Sequence, residues 1–131
     1  MNSPVVLVIE DNPRNLKLAR DVLAFGGFHV LEATTAGAGL TVAAADRPDV
    51  VLMDIQLPDM SGVDALCALR NDPRTSAIPV VALTAFAMRE DRQRFSCAGF
   101  DGYISKPIDV RQFANTVRKY CGGVTEGSFV P

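Results

Sequence analysis

The chain of 131 residues has room for one domain and little more. Its 48% apolar and 21% charged content is ordinary for a soluble fold large enough to bury a core without staples. A formal net charge of -2 with no basic stripe argues against nucleic-acid binding, and no apolar run is long enough to cross a membrane.

Along the chain, short apolar runs alternate with helix-like stretches. Val5 to Ile9 is a continuous branched and leucine run, the pattern of a strand buried on both faces. Asn12-Pro13 supplies an N-cap and a proline at the first helical position; Leu16, Ala19, Val22, Leu23 and Gly26 then recur at helical spacing before Gly26-Gly27 ends the element. His29 to Glu32 reads as a short second strand. Thr34-Thr35 can cap a helix to about Ala45, with Asp46-Arg47-Pro48 as its exit. Val50 to Met53 is the third strand and ends in Asp54. Leu57 to Gly62 reads as a loop, Val63, Leu66 and Leu69 mark a helix, and Asp72-Pro73 closes it. Ile78 to Leu83 is the fourth strand, ending at Thr84. Ala87 to Ala98 is a helix with a charged, solvated face. Asp101 to Ile104 is a polar-flanked strand suited to a sheet edge. After Lys106-Pro107, Val110, Phe113, Val117 and Tyr120 form a last amphipathic helix, stopped by Gly122-Gly123, and 122–131 reads as a flexible tail.

Five strand–helix pairs in strict alternation predict a single α/β domain over residues 1–121, doubly wound and flavodoxin-like. Its parallel five-stranded sheet is expected in the order 2-1-3-4-5. The amino-terminal residues lack the charged and apolar parts of a signal peptide. Cys67, Cys97 and Cys121 form no C-x-x-C pair, so buried or half-buried free thiols in a reducing cytoplasm are expected. The single histidine, His29, has no partner from which to build a triad or a metal site and reads as structural.

A carboxylate at the tip of an apolar strand is costly unless its charge is compensated, so Asp54 invites a chemical explanation. Glu10-Asp11 closes strand one, Thr84 strand four, and Lys106 follows strand five; in an open α/β sheet all of these map to the carboxyl edge, where ligands bind. Crowded carboxylates repel, and a hard divalent cation relieves that repulsion. Asp11 and Asp54 are therefore candidate ligands for magnesium, with Glu10 in its outer shell. Carboxylates that merely cap helix starts are the alternative, strongest for Glu10-Asp11 because Asn12 and Pro13 follow. A carboxylate can attack a phosphoryl group to give an acyl phosphate. Lys106 and the Thr84 hydroxyl could stabilise its oxygens, while the small Ala85 leaves room for it.

Here the chain resembles the receiver domains of bacterial two-component response regulators, over roughly Pro4 to Tyr120. The likeness rests on Glu10-Asp11, on Met53-Asp54-Ile55-Gln56-Leu57-Pro58 with Gly62, on Leu83-Thr84-Ala85, and on Tyr103-Ile104-Ser105-Lys106-Pro107. Ala82 to Met88 and Gly102 to Ile108 look most like stand-alone, DivK-like receivers and the receivers of hybrid kinases. The resemblance implies that Asp54 is the phosphoacceptor, charged from a phosphohistidine on a histidine kinase or phosphotransfer protein. It implies magnesium, or manganese in its place, on Asp11, Asp54 and the backbone carbonyl of Gln56. Thr84 and Lys106 would grip the phosphoryl group, and Tyr103 would swing inward when Thr84 moves. The Lys106-Pro107 bond is cis in this family. Gln56 and Phe86 sit where the family tunes acyl-phosphate lifetime, and a bulky Phe86 is expected to slow attacking water.

The expectation is a phosphorylation switch, monomeric or weakly dimeric, acting by protein contacts and not by turnover. Its output face would combine the helix from Ala87, the strand at Tyr103 and the helix from Val110, since no output domain fits in residues 122–131. An aspartyl-phosphate phosphatase of the haloacid dehalogenase type is a rival reading. It would carry a second Asp two residues after the nucleophile, where this chain has Gln56. A flavodoxin-like cofactor binder would want a phosphate loop in place of Glu10-Asp11-Asn12-Pro13.

Overall fold

The computed structural model describes residues 3–84 and 99–121. In chain order these form β1 (Val5–Ile9), α1 (Pro13–Phe25), β2 (His29–Ala33), α2 (Ala36–Asp46), β3 (Val50–Asp54), α3 (Gly62–Asn71), β4 (Val80–Thr84), β5 (Gly102–Ser105) and α4 (Phe113–Tyr120). The helix expected over Ala87 to Ala98, the residues Ala85, Phe86 and Cys97, and the expected tail at 122–131 lie outside the described residues. The five strands make one parallel sheet in the order β2-β1-β3-β4-β5. That is the doubly wound arrangement predicted from the alternation.

Alternate residues of the central strands point to opposite faces, and each face has its own core. Leu7, Ile9, Val51, Met53, Val80 and Ala82 pack with Ala36 and Ala43 of α2 and with Ala65, Leu66 and Leu69 of α3. Val6, Val8, Val50, Leu52, Val81 and Leu83 pack with Leu16, Ala19 and Leu23 of α1 and with Phe113 and Val117 of α4. Residues 50–53 are wholly buried. Each such aliphatic side chain contributes about 1.5–3 kcal/mol of transfer free energy. This burial pins the register of β3 and so fixes where Asp54 emerges.

The helix starts follow local chemistry. Asn12 caps α1 by accepting from the N–H groups of Arg14 and Asn15, with Pro13 behind it. Thr35 caps α2 through Ala38, and Ser61 caps α3 through Asp64. Arg47 closes α2 in the left-handed region with φ 46°.

Three expectations are corrected. β4 begins at Val80, not Ile78, because Pro79 has no N–H to give the ladder and the Ile78 N–H donates to the Thr75 carbonyl. The last helix begins at Phe113, because the Asp109 carbonyl accepts from the N–H groups of Gln112 and Phe113 in a preceding turn. Val110, expected on the buried face, is therefore 53% exposed. Cys67 is exposed while Cys121 is buried. α3 buries Leu66 and Leu69, and a residue directly after Leu66 turns away from that face.

Candidate functional site

β1, β3, β4 and β5 all run in the same direction, so their last residues meet along one edge. Glu10 directly follows β1, Asp54 ends β3, Thr84 ends β4, and Lys106 directly follows β5. Asp54 is the register partner of Leu83, which places Thr84 one residue beyond it on the neighbouring strand. Thr84 in turn pairs with Ser105, and its carbonyl accepts from the Lys106 N–H at 2.9 Å. Glu10, Asp54 and Thr84 are all buried.

One cation binds the group together. Lys106 Nζ donates to Glu10 Oε1 at 2.6 Å and to Asp54 Oδ2 at 2.9 Å. Both are the short bonds of charge-assisted pairs. Burial, opposed by Lys106 and reinforced by Asp54, raises the Glu10 carboxyl above its ordinary value. Burial alone would lower the Lys106 ammonium, but the carboxylates of Glu10 and Asp54 outweigh it and hold the group above its ordinary value. Carboxylate oxygens of Glu10, Asp11 and Asp54 lie within 4.8 Å of one another, with Asp11 exposed at the rim. Three carboxylates against one ammonium leave a net of two negative charges when all are ionised. An all-oxygen set with that excess suits a hard divalent cation, so the residues present fit magnesium.

The loop after β3 supplies the rest. The Gln56 N–H donates to Asp54 Oδ1 at 3.0 Å, and Gln56 pairs with Ser61 in an isolated antiparallel bridge. Gly62 closes the loop by donating to the Ile55 carbonyl at 2.8 Å. A Cβ on Gly62 would stand 2.9 Å from Ile55 Cα and 3.2 Å from the Asp54 carbonyl oxygen. Only glycine lets the start of α3 come this close to the backbone that carries Asp54.

The predicted residues thus fall into groups. Glu10, Asp11, Asp54 and Lys106 are brought together, with Thr84 beside them and the Gln56 peptide on the Asp54 carboxylate. Tyr103 lies on β5 opposite Ala82, half-buried, and packs on the core shared with α2 and α3. The Lys106-Pro107 bond is cis. Phe86 lies outside the described residues. The helix-cap reading of Glu10-Asp11 holds only in a limited sense. Asn12 is the cap, and Glu10 accepts from the Asn12 N–H at 3.1 Å while its other oxygen takes Lys106. The direct Glu10–Lys106 pair is absent from the sequence-based reading, which pictured Glu10 only around a cation. It joins residues 96 apart, and no local pattern announces it.

Comparison with known proteins agrees with this geometry. Residues 6–118 match the family described as the response regulator receiver domain. The chain is 42% identical over 117 residues to the polar-differentiation response regulator DivK of Brucella anthropi, covering 89% of this chain and 95% of that relative. Among solved structures it is similar to the receiver domain of the sensor histidine kinase PA1611 of Pseudomonas aeruginosa. That match has a TM-score of 0.84 and 28% identity, and covers 92% of this chain and 99% of the other. That structure carries a magnesium ion in its active-site cleft. The chemotaxis response regulator CheY4 of Vibrio cholerae shares the fold, with a TM-score of 0.85 at 24% identity over 91% of this chain and 99% of that one. With its parallel sheet in the order 2-1-3-4-5 and its acidic edge around Asp54, this chain belongs to the response regulator receiver domain family.

Proposed function

We propose that this protein is a phosphorylation switch in which Asp54 accepts a phosphoryl group from a phosphohistidine on a histidine kinase or a phosphotransfer protein. The observation that carries the reading is the half-buried Lys106 ammonium shared by Glu10 and Asp54 beside the exposed Asp11. That edge holds a nucleophile, a fixed positive charge and an unneutralised surplus of carboxylate.

In the transfer, an Asp54 oxygen forms a bond to phosphorus while the phosphorus–nitrogen bond of the donor breaks, its electron pair going to the imidazole nitrogen. The product is an acyl phosphate on Asp54 and a neutral histidine. Asp11, Asp54 and the Gln56 carbonyl would hold magnesium or manganese, with Glu10 in the outer shell. The cation supplies charge neutralisation for the phosphoryl oxygens. Lys106 is already on Asp54 Oδ2 and needs only to follow the developing charge to a phosphoryl oxygen. The Thr84 hydroxyl takes another oxygen. Its movement lets Tyr103 turn toward the core that its ring already borders, which changes the surface around β5.

The state is read by a downstream protein over a face that includes β5 and α4, in the cytoplasm. Among the described residues no helix is long and apolar enough to cross a membrane. Gln56 offers no acid to activate water, so the protein turns over only its own phosphate, slowly. Gln56 and Phe86 set that lifetime.

Incubation with magnesium and a small phosphodonor such as acetyl phosphate should add the mass of one phosphoryl group. Asp54→Asn should abolish the gain, and chelation should suppress it. A gain that persists in Asp54→Asn would overturn the reading.

A further inference from the structure

Asp59 lies outside the acidic cluster, and the transfer described above does not use it. It sits on the loop between β3 and α3 yet caps a different helix. Its Oδ1 accepts from the Ala36 N–H at 2.9 Å and its Oδ2 from the Gly37 N–H at 2.8 Å. Those are the first two N–H groups of α2, which the helix itself leaves without partners. A carboxylate there also meets the positive end of the helix dipole. The bonds from Gly37 and Ala36 hold the Asp59 carboxyl below its ordinary value.

The base of the same loop is pinned independently. Gly62 donates to the Ile55 carbonyl, and Gln56 bridges Ser61. Leu57 and Met60 pack against the core shared with α2 and α3. Residues 55–61 therefore form a short arch with a closed base, apolar anchors and one polar tether at its tip. Gln56 lies within that arch, three residues from Asp59, with its N–H on Asp54 Oδ1.

We propose that Asp59 is a positioning residue, whose two bonds to the first turn of α2 hold the 55–61 arch so that the Gln56 peptide stays beside Asp54. This rests on the phosphoacceptor reading, in which the Gln56 carbonyl is a cation ligand. Coupling of this kind is reciprocal, so occupation of the site tightens the tether and is felt at Ala36 and Gly37.

Magnesium titration followed by backbone amide shifts tests this on the wild type, Asp59→Ala, Asp59→Asn and Asp54→Asn, with thermal unfolding of each alongside. Asp59→Ala should bind magnesium roughly fivefold more weakly, the loss of about one cap at 1.4 kcal/mol per tenfold. Asp59→Asn keeps one good acceptor and should fall between. In the wild type the Ala36 and Gly37 amides should move with magnesium, and in Asp59→Ala that response should vanish. Wild-type affinity in both Asp59 variants reduces the residue to a helix cap and overturns the proposal, whatever happens to Tm. So does a wild type that binds magnesium without any response at Ala36 and Gly37. A wild type that binds no magnesium, or an Asp54→Asn variant that binds it equally well, overturns the phosphoacceptor reading and the tether with it.

Discussion

Aspartates stand at both ends of the sheet, and their surroundings differ in kind. At the amino ends of the strands, Asp49 accepts from the Val5 N–H at 2.7 Å, and Asp101 accepts from the Val80 N–H and from Arg70, both at 2.8 Å. Each of these carboxylates has its own donors, and each closes a gap that the ladder leaves open. At the carboxyl end, Glu10 and Asp54 divide one ammonium, and Asp11 adds further charge. The same residue type fastens strands at one edge and stores unspent electrostatic demand at the other. The distinguishing mark is three clustered carboxylates around one shared ammonium, since simple burial would not separate Glu10 from a satisfied core acid.

The largest effect that would break this contrast is expected from Lys106→Met. Removing the shared cation leaves Glu10 and Asp54 facing each other in a buried site, at a cost of about 3 kcal/mol in urea unfolding. Adding Glu10→Gln should recover most of that loss, because the repulsion goes with the charge. If the single variant unfolds like the wild type, the carboxyl edge is no more strained than the amino edge. Phosphorylation of Lys106→Met should be slow in either background.

Next in size is Gly62→Ala. The added methyl meets the Asp54 and Ile55 backbone, so about 2 kcal/mol of overpacking cost is expected. Because the clash falls on the Asp54 and Ile55 backbone, the phosphorylation rate should drop as well. A stable variant with an unchanged rate would mean that the close approach has no bearing on the site.

Asp49→Ala sharpens the comparison from the other end. It strands the Val5 N–H and should cost about 1–2 kcal/mol in the same assay. Its phosphorylation rate and magnesium affinity should match the wild type. A changed rate would show that the two edges are coupled through the sheet.

The smallest effect at neutral pH concerns Cys121, near Asp49. Burial first, and then the Asp49 charge, push its thiol up to about 11. A raised folded value means that the neutral thiol contributes fully below its ordinary value of 9.0. That contribution is lost as pH rises from there toward about 11. Unfolding free energy should therefore fall over that alkaline window, by at most about 1.4 kcal/mol per pH unit, and Cys121→Ala should flatten the slope. Alkylation of the native protein near pH 8, mapped by mass, should label Cys67 and spare Cys121.

Much of this protein is written locally. Strand and helix alternate because unbroken apolar runs from Val5 and Val50 differ in period from Leu16-Ala19-Leu23. The caps Asn12, Thr35 and Ser61 lie in the few residues before their helices. Parallel strands running in one direction then bring Glu10, Asp54, Thr84 and Lys106 to one edge without further information. Boundaries that depend on one missing hydrogen bond, as at Pro79, or on a turn, as at Asp109, were less legible than the elements they bound.

The chain's own pattern thus determined the fold class, the strand order and the identity of the acidic edge, because periodicity and chain direction are properties of neighbours in sequence. Tertiary structure alone decided how charge is shared there. That Lys106 spans Glu10 and Asp54, that Asp59 serves α2 and not its own helix, and that Asp49 and Asp101 fasten the starts of β1 and β4 all depend on partners 21 to 96 residues away. Electrostatic pairing acts through space and obeys distance and burial, so it leaves no period in the sequence.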